Sequence, residues 1–128
     1  MIVADTSAFA AIILNEPDAM VYAEALRDSA TIIVSAPTIL ELRSVLYRRF
    51  GADYMLRADT LLAAPSIQVV PWTEAHLPIA VDALQRFGGR PARLNFGDCM
   101  VYAIAKALDA PLLYKGEDFA RTDIRSAL

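Results

Sequence analysis

A chain of 128 residues that is 56% hydrophobic and 21% charged has the length of a single domain, residues 1–128, and can bury roughly two thirds of its unfolded surface. A membrane span is excluded, because Glu16, Arg27, Glu41 and Asp59 cut every apolar run short of the ~18 residues a span needs. The net charge of −3 excludes a globally basic surface, so any nucleic-acid binding must rest on local arginines or on cations held by acids.

Ile2 to Ala4 is a short apolar run ending in Asp5-Thr6-Ser7, which reads as a buried strand turning into a helix. Thr6 or Ser7 caps that helix, which runs over residues 8–14. After the break at Asn15 to Asp18, a second helix extends to about Arg27. "TIIVS", residues 31–35, is β-branched and makes the second strand. Pro37 then opens a helix to about Phe50, stopped by Gly51. A further helix covers 53–63, and Ile67 to Val70 is the third strand, stopped by Pro71. Thr73 caps a helix to about Phe87, and Gly88 to Phe96 is the one long loop. Asp98 opens an alanine-rich helix, Leu112 to Tyr114 is the fourth strand, and the tail is expected to add a short edge strand.

Short strands alternating with helices predict an α/β fold with a parallel sheet covered on both faces. Ligands of such sheets sit at the carboxyl ends of the strands. Four acids fall there. Asp5 follows strand one, Glu41 lies in the first turn of the helix after strand two, Asp98 starts the helix before strand four, and Asp118 follows strand four. Each has a plainer reading alone: Asp98 and Asp5 as helix caps, Glu41 as a dipole partner, Asp118 as a turn residue. Together at one sheet edge they repel one another, and a hard divalent cation removes that cost. Oxygen ligands favour Mg²⁺ or Mn²⁺, whereas one histidine (His76) and one cysteine (Cys99) cannot build a zinc site.

"VADTSA", the glutamate inside "TILELRSVL", "LNFGDCMVYAIAK" and "PLLYKGEDFARTDI" together resemble the PIN domain, and more narrowly the VapC-type toxins, the ribonuclease halves of bacterial toxin–antitoxin pairs. The resemblance spans the whole chain. It implies a three-layer α/β/α sandwich with a central, mainly parallel sheet. It also implies that Asp5, Glu41, Asp98 and Asp118 are the catalytic acids, with Asp5 and Asp98 the principal metal ligands. Thr6, or Ser7 beside it, matches the family's hydroxyl near the first aspartate, and either Glu117 or Asp118 can supply the fourth acid. The implied activity is Mg²⁺- or Mn²⁺-dependent hydrolysis of RNA phosphodiester bonds at one or two metal ions. The implied partners are RNA and an antitoxin whose tail blocks the site; the apolar helices between Met20 and Leu62 are candidates for its groove and for a homodimer face.

Around that centre, Lys115 either pairs with an acid or touches a phosphate. Arg86, Arg90 and Arg93, in or beside the long loop, are the RNA-contact candidates, ahead of Arg43, Arg48 and Arg49 on the Glu41 helix. His76 lies away from the acids, and Cys99, next to a carboxylate, reads as a packing residue. A lone cysteine fits a reducing compartment, and the first residues read as strand rather than leader, so the expected location is the cytoplasm. The apolar excess predicts a homodimer. Two enzyme alternatives fail on single residues: a receiver-like domain needs an aspartate after strand three, and a dehalogenase-like phosphatase needs one where Ser7 stands. A catalytically inactive PIN-like binding module is the competing reading.

Overall fold

In the computed structural model, which describes residues 1–128, short apolar runs, β-branched in the first three cases, form strands and the segments between them form helices. The order is β1 (Ile2–Ala4), α1 (Thr6–Ile13), α2 (Ala19–Arg27), β2 (Ile32–Ser35), α3 (Ala36–Phe50) and α4 (Ala52–Leu62). Then follow β3 (Ile67–Val70), a 3₁₀ turn (Glu74–His76), α5 (Leu77–Phe87), α6 (Phe96–Ala107), β4 (Leu112–Leu113) and a second 3₁₀ turn (Phe119–Arg121). Gly51, at φ 93°, takes the left-handed backbone that separates α3 from α4.

All strand pairs are parallel, in the order β3-β2-β1-β4. Alternation of side chains across the sheet assigns neighbours to opposite cores. Val3, Ile33 and Leu112 face α5 and α6, where they pack with Val101, Tyr102 and Ala105. Ala4, Ile32, Val34 and Leu113 face α1 to α4, where they pack with Phe9, Leu42 and Leu46. The result is the expected three-layer sandwich. Trp72 donates from its indole N–H to the Met100 carbonyl at 3.0 Å, tying the β3–α5 connection to α6.

Several local expectations are corrected. Asp5, not Thr6 or Ser7, caps α1, because its carboxylate already accepts the Ser7 N–H at 3.1 Å. Ser35 caps α3 directly from the end of β2, so the helix begins at Ala36 and Glu41 falls in its second turn. Asn95 caps α6, leaving Asp98 third in the helix. Tyr114 lies outside β4, and the tail contributes a single parallel bridge, Leu112 to Ser126, in place of a full edge strand.

The strand order gives the site its place. From β1 the chain steps outward to β2 and β3, then returns to set β4 on the other side of β1. The crevice beyond the carboxyl ends of β1 and β4 is therefore the topological switch point, where open α/β sheets bind ligands.

Candidate active site

β1 ends directly in Asp5, which is 6% exposed. One oxygen of its carboxylate accepts both the backbone N–H (3.1 Å) and the hydroxyl (2.5 Å) of Ser7. Burial pushes the Asp5 carboxyl above its ordinary value and the Glu41 charge adds to the rise, against the Ser7 hydrogen bonds, which lower it. The Ser7 hydroxyl has one proton to give and lone pairs to receive, and it uses both capacities: it also accepts the Lys115 N–H at 2.9 Å. The segment after β4 is thereby tied to the first aspartate.

Thr6 does for Glu41 what Ser7 does for Asp5. Its buried hydroxyl donates to Glu41 Oε1 at 2.5 Å. Glu41 reaches this position across the start of α6, where Gly97 makes room: a Cβ there would collide with Glu41 Oε2.

Asp98 is held by a reciprocal cap. The Asn95 side chain accepts the Asp98 N–H at 2.8 Å, and Asp98 accepts the Asn95 N–H at 3.0 Å. Its carboxyl is pushed up to about 6, first by burial, with the charges of Asp5, Asp118 and Glu41 adding to the rise. Asp118 lies exposed at the start of the second 3₁₀ turn, and Glu117 is exposed beside it. Asp118 is the one of the two among the charges acting on Asp98.

Lys115 pairs with acids, and the partners are ones sequence reading missed. Its ammonium contacts Glu16 and Asp18, the latter at 2.8 Å, in the α1–α2 turn. No periodicity or motif signals a pair separated by 97 to 99 positions. Arg86 is likewise engaged. It contacts Asp82 (3.1 Å) and Asp123 (3.4 Å), and Asp123 also accepts the Tyr102 hydroxyl and pairs with Lys106. Tyr102 and Lys106 lie about 6 and 12 Å along α6 from Asp98, so this network runs away from the acids. Arg90 and Arg93 are exposed on the loop before α6. His76 caps its own turn, accepting the Thr73 N–H at 2.9 Å. Cys99 is buried, and burial together with Asp98 raises its thiol, consistent with a packing role.

The donor set suits a hard cation: oxygen ligands only, one nearly buried, with mutual repulsion that a positive ion reverses. As placed, no three acids form a ready ligand set. The side chains have other partners instead, Glu41 resting on Thr6 and Asp98 on the Asn95 amide. Beside the acids, Pro37, Thr38, Glu41 and Ser44 of α3 face Phe96 and Met100 of α6 across a cleft of ≈ 390 Å³.

Residues 2–125 match the family model for the PIN domain. Ribonuclease VapC42 of Mycobacterium tuberculosis is 40% identical over 128 residues, covering 98% of each chain. The crystal structure of VapC20 from the same organism, described as a sarcin-ricin loop cleaving toxin, superposes with a TM-score of 0.82 at 18% identity, covering 97% of this chain and 96% of that one. A toxin–antitoxin complex from Klebsiella pneumoniae superposes at 0.74 with 16% identity, covering 96% of this chain and 93% of that one. With the sheet order, the family match over residues 2–125 and a relative covered over 98% of its length all in agreement, this chain belongs to the PIN-domain family, among the VapC ribonucleases.

Proposed function

We propose that this protein is a metal-dependent endoribonuclease, the toxin of a toxin–antitoxin pair, with Asp5, Glu41, Asp98 and Asp118 as its catalytic acids. The observation that carries this reading is the convergence of three segments: Thr6, next to Asp5, holds the Glu41 carboxylate, which also lies against Gly97, next to Asp98. Their separation in the chain makes a purely local role a poor explanation, since helix capping accounts for Asp5 and Asp98 but not for Glu41 or Asp118.

Asp5 and Asp98 would hold Mg²⁺ or Mn²⁺, with Glu41 and Asp118 completing the charge around it. When bound, such an ion supplies Lewis-acid polarisation of the scissile phosphate and a water of lowered pKa. The chain's own residues do the rest. Ser7 fixes the Asp5 carboxylate and Thr6 fixes Glu41, so both acids are oriented before substrate arrives. Asp98, at about 6, is mostly ionised at pH 7 and available as an oxygen ligand. Lys115, through its N–H to Ser7 and its ion pairs, anchors the segment that carries Asp118. Arg90 and Arg93 contact RNA phosphates on the approach to α6. An antitoxin restrains the activity in the cell, as the Klebsiella pneumoniae complex suggests by its name.

Purified protein should cut RNA in Mg²⁺ or Mn²⁺ and stop on chelation, and Asp5→Asn should abolish cleavage while remaining folded. Cleavage that persists in Asp5→Asn overturns the site. A wild-type protein inert with every divalent ion overturns the activity and favours a binding module.

A further inference from the structure

Phe96 is 83% exposed, more than any other large apolar side chain in the molecule, and it stands two residues before Asp98. A phenyl ring left in water forgoes the burial that would stabilise the fold, and here it does so beside an acid of the candidate site. That position is also fixed. Phe96 is the first residue of α6, enclosed by the reciprocal hydrogen bonds of Asn95 and Asp98. Ring and carboxylate are thus carried on one turn of backbone. On one side the ring walls the ≈ 390 Å³ cleft, opposite Pro37, Glu41 and Ser44.

The geometry points to Phe96 as a stacking platform for an unpaired nucleobase beside the scissile phosphate of single-stranded RNA, an inference that rests on the nuclease reading above. Glu41 and Asp98 repel a phosphate that no cation has neutralised, whereas a neutral base can enter beside them. Aromatic faces bind every base through its π-face, so the platform orients the strand without dictating its sequence. The Ser44 hydroxyl in the opposite wall offers one donor and two lone pairs to a base edge. Duplex RNA keeps its bases stacked inside the helix and presents none to the ring. The other side of Phe96 borders an apolar hollow with Trp72, Leu77 and Leu84, so a protein partner on the ring is the competing outcome.

The test compares Phe96→Ala and Phe96→Trp, with affinity for a short single-stranded RNA measured in an Asp5→Asn background and cleavage kinetics measured with the acids intact. Phe96→Ala should weaken RNA binding about 5- to 100-fold and raise KM far more than it lowers kcat, while Phe96→Trp restores both. The melting temperature and the molar mass by light scattering should stay at the parent values. Equal RNA affinity in Phe96→Ala overturns the inference, as does duplex RNA binding as tightly as the single strand. A change of molar mass in Phe96→Ala also overturns it and assigns the ring to a protein contact. If the parent cleaves RNA and Phe96→Ala is unaffected, only the platform falls; if the parent neither binds nor cleaves RNA, the nuclease reading falls first.

Discussion

Glu41 shows how tightly single residues define this centre. Its carboxylate is set by two neighbours, the Thr6 hydroxyl on one side and the missing side chain of Gly97 on the other. The sequence reading placed Glu41 at the site but could not see this fit, because contact between α3 and the start of α6 leaves no local pattern. Gly97→Ala drives a methyl group into Glu41 Oε2 and displaces the carboxylate. A shift of about 1 Å in such a group costs about 10²-fold in rate. Cleavage should fall by that order while the melting temperature changes little. Gly89→Ala is the control, since nothing stands within 4 Å of its added Cβ. Equal losses in both variants would remove Gly97 from the account.

At the level of elements, α6 carries the clearest lesson. Gly97-Asp98 reads as a helix start, yet Asn95 with Asp98 three places on is a capping box in its own right and begins the helix earlier. The first three strands and the breaks at Gly51 and Pro71 were legible because β-branching and backbone chemistry act locally. The helix starts at Ala36 and Phe96 were less so, because competing caps stand within three residues of each other. The cap also bears on stability. The Asp98 carboxyl in the folded protein lies at about 6, above its ordinary 3.8, so the metal-free fold binds that proton more tightly than the unfolded chain does. The associated stability is fully present below about 3.8 and is lost as pH rises through about 6, and the raised Asp5 adds in the same direction. Asp98→Asn keeps a capping oxygen but has no charge to desolvate or to be repelled by the other acids. In chelator it should melt several degrees above wild type at pH 7, with the gap closing towards pH 4. A gap independent of pH would show that neither the burial nor the repulsion of the Asp98 charge is the cause.

Over the whole molecule, the alternation of strands and helices was enough to indicate a parallel sheet and to point to its carboxyl edge, where Asp5 follows β1. The pairing of Lys115 with Glu16 and Asp18, and the diversion of Arg86 to Asp82 and Asp123, were not legible, because long-range partner choice depends on packing rather than on spacing. The apolar surplus read from composition has a visible outlet. Leu77, Val81 and Leu84 lie exposed on α5 at helical spacing. If this face joins two copies, light scattering should give twice the chain mass of 14.0 kDa, and Val81→Glu should return it to the monomer value. A monomer at all concentrations would contradict the dimer.

The central claim is that acids from separate segments form one cation site. It is tested most directly by the Mn²⁺-induced rise in melting temperature, measured in parallel for wild type, Asp5→Asn, Asp98→Asn and Arg86→Ala. Ligand bound only by the folded state stabilises in proportion to RT ln(1 + [L]/Kd), so loss of a ligand appears as loss of the shift. Wild type and Arg86→Ala should rise together as Mn²⁺ is added, while Asp5→Asn and Asp98→Asn should lose most of that rise. An undiminished shift in Asp5→Asn and Asp98→Asn, or no shift in wild type at millimolar Mn²⁺, would contradict the account.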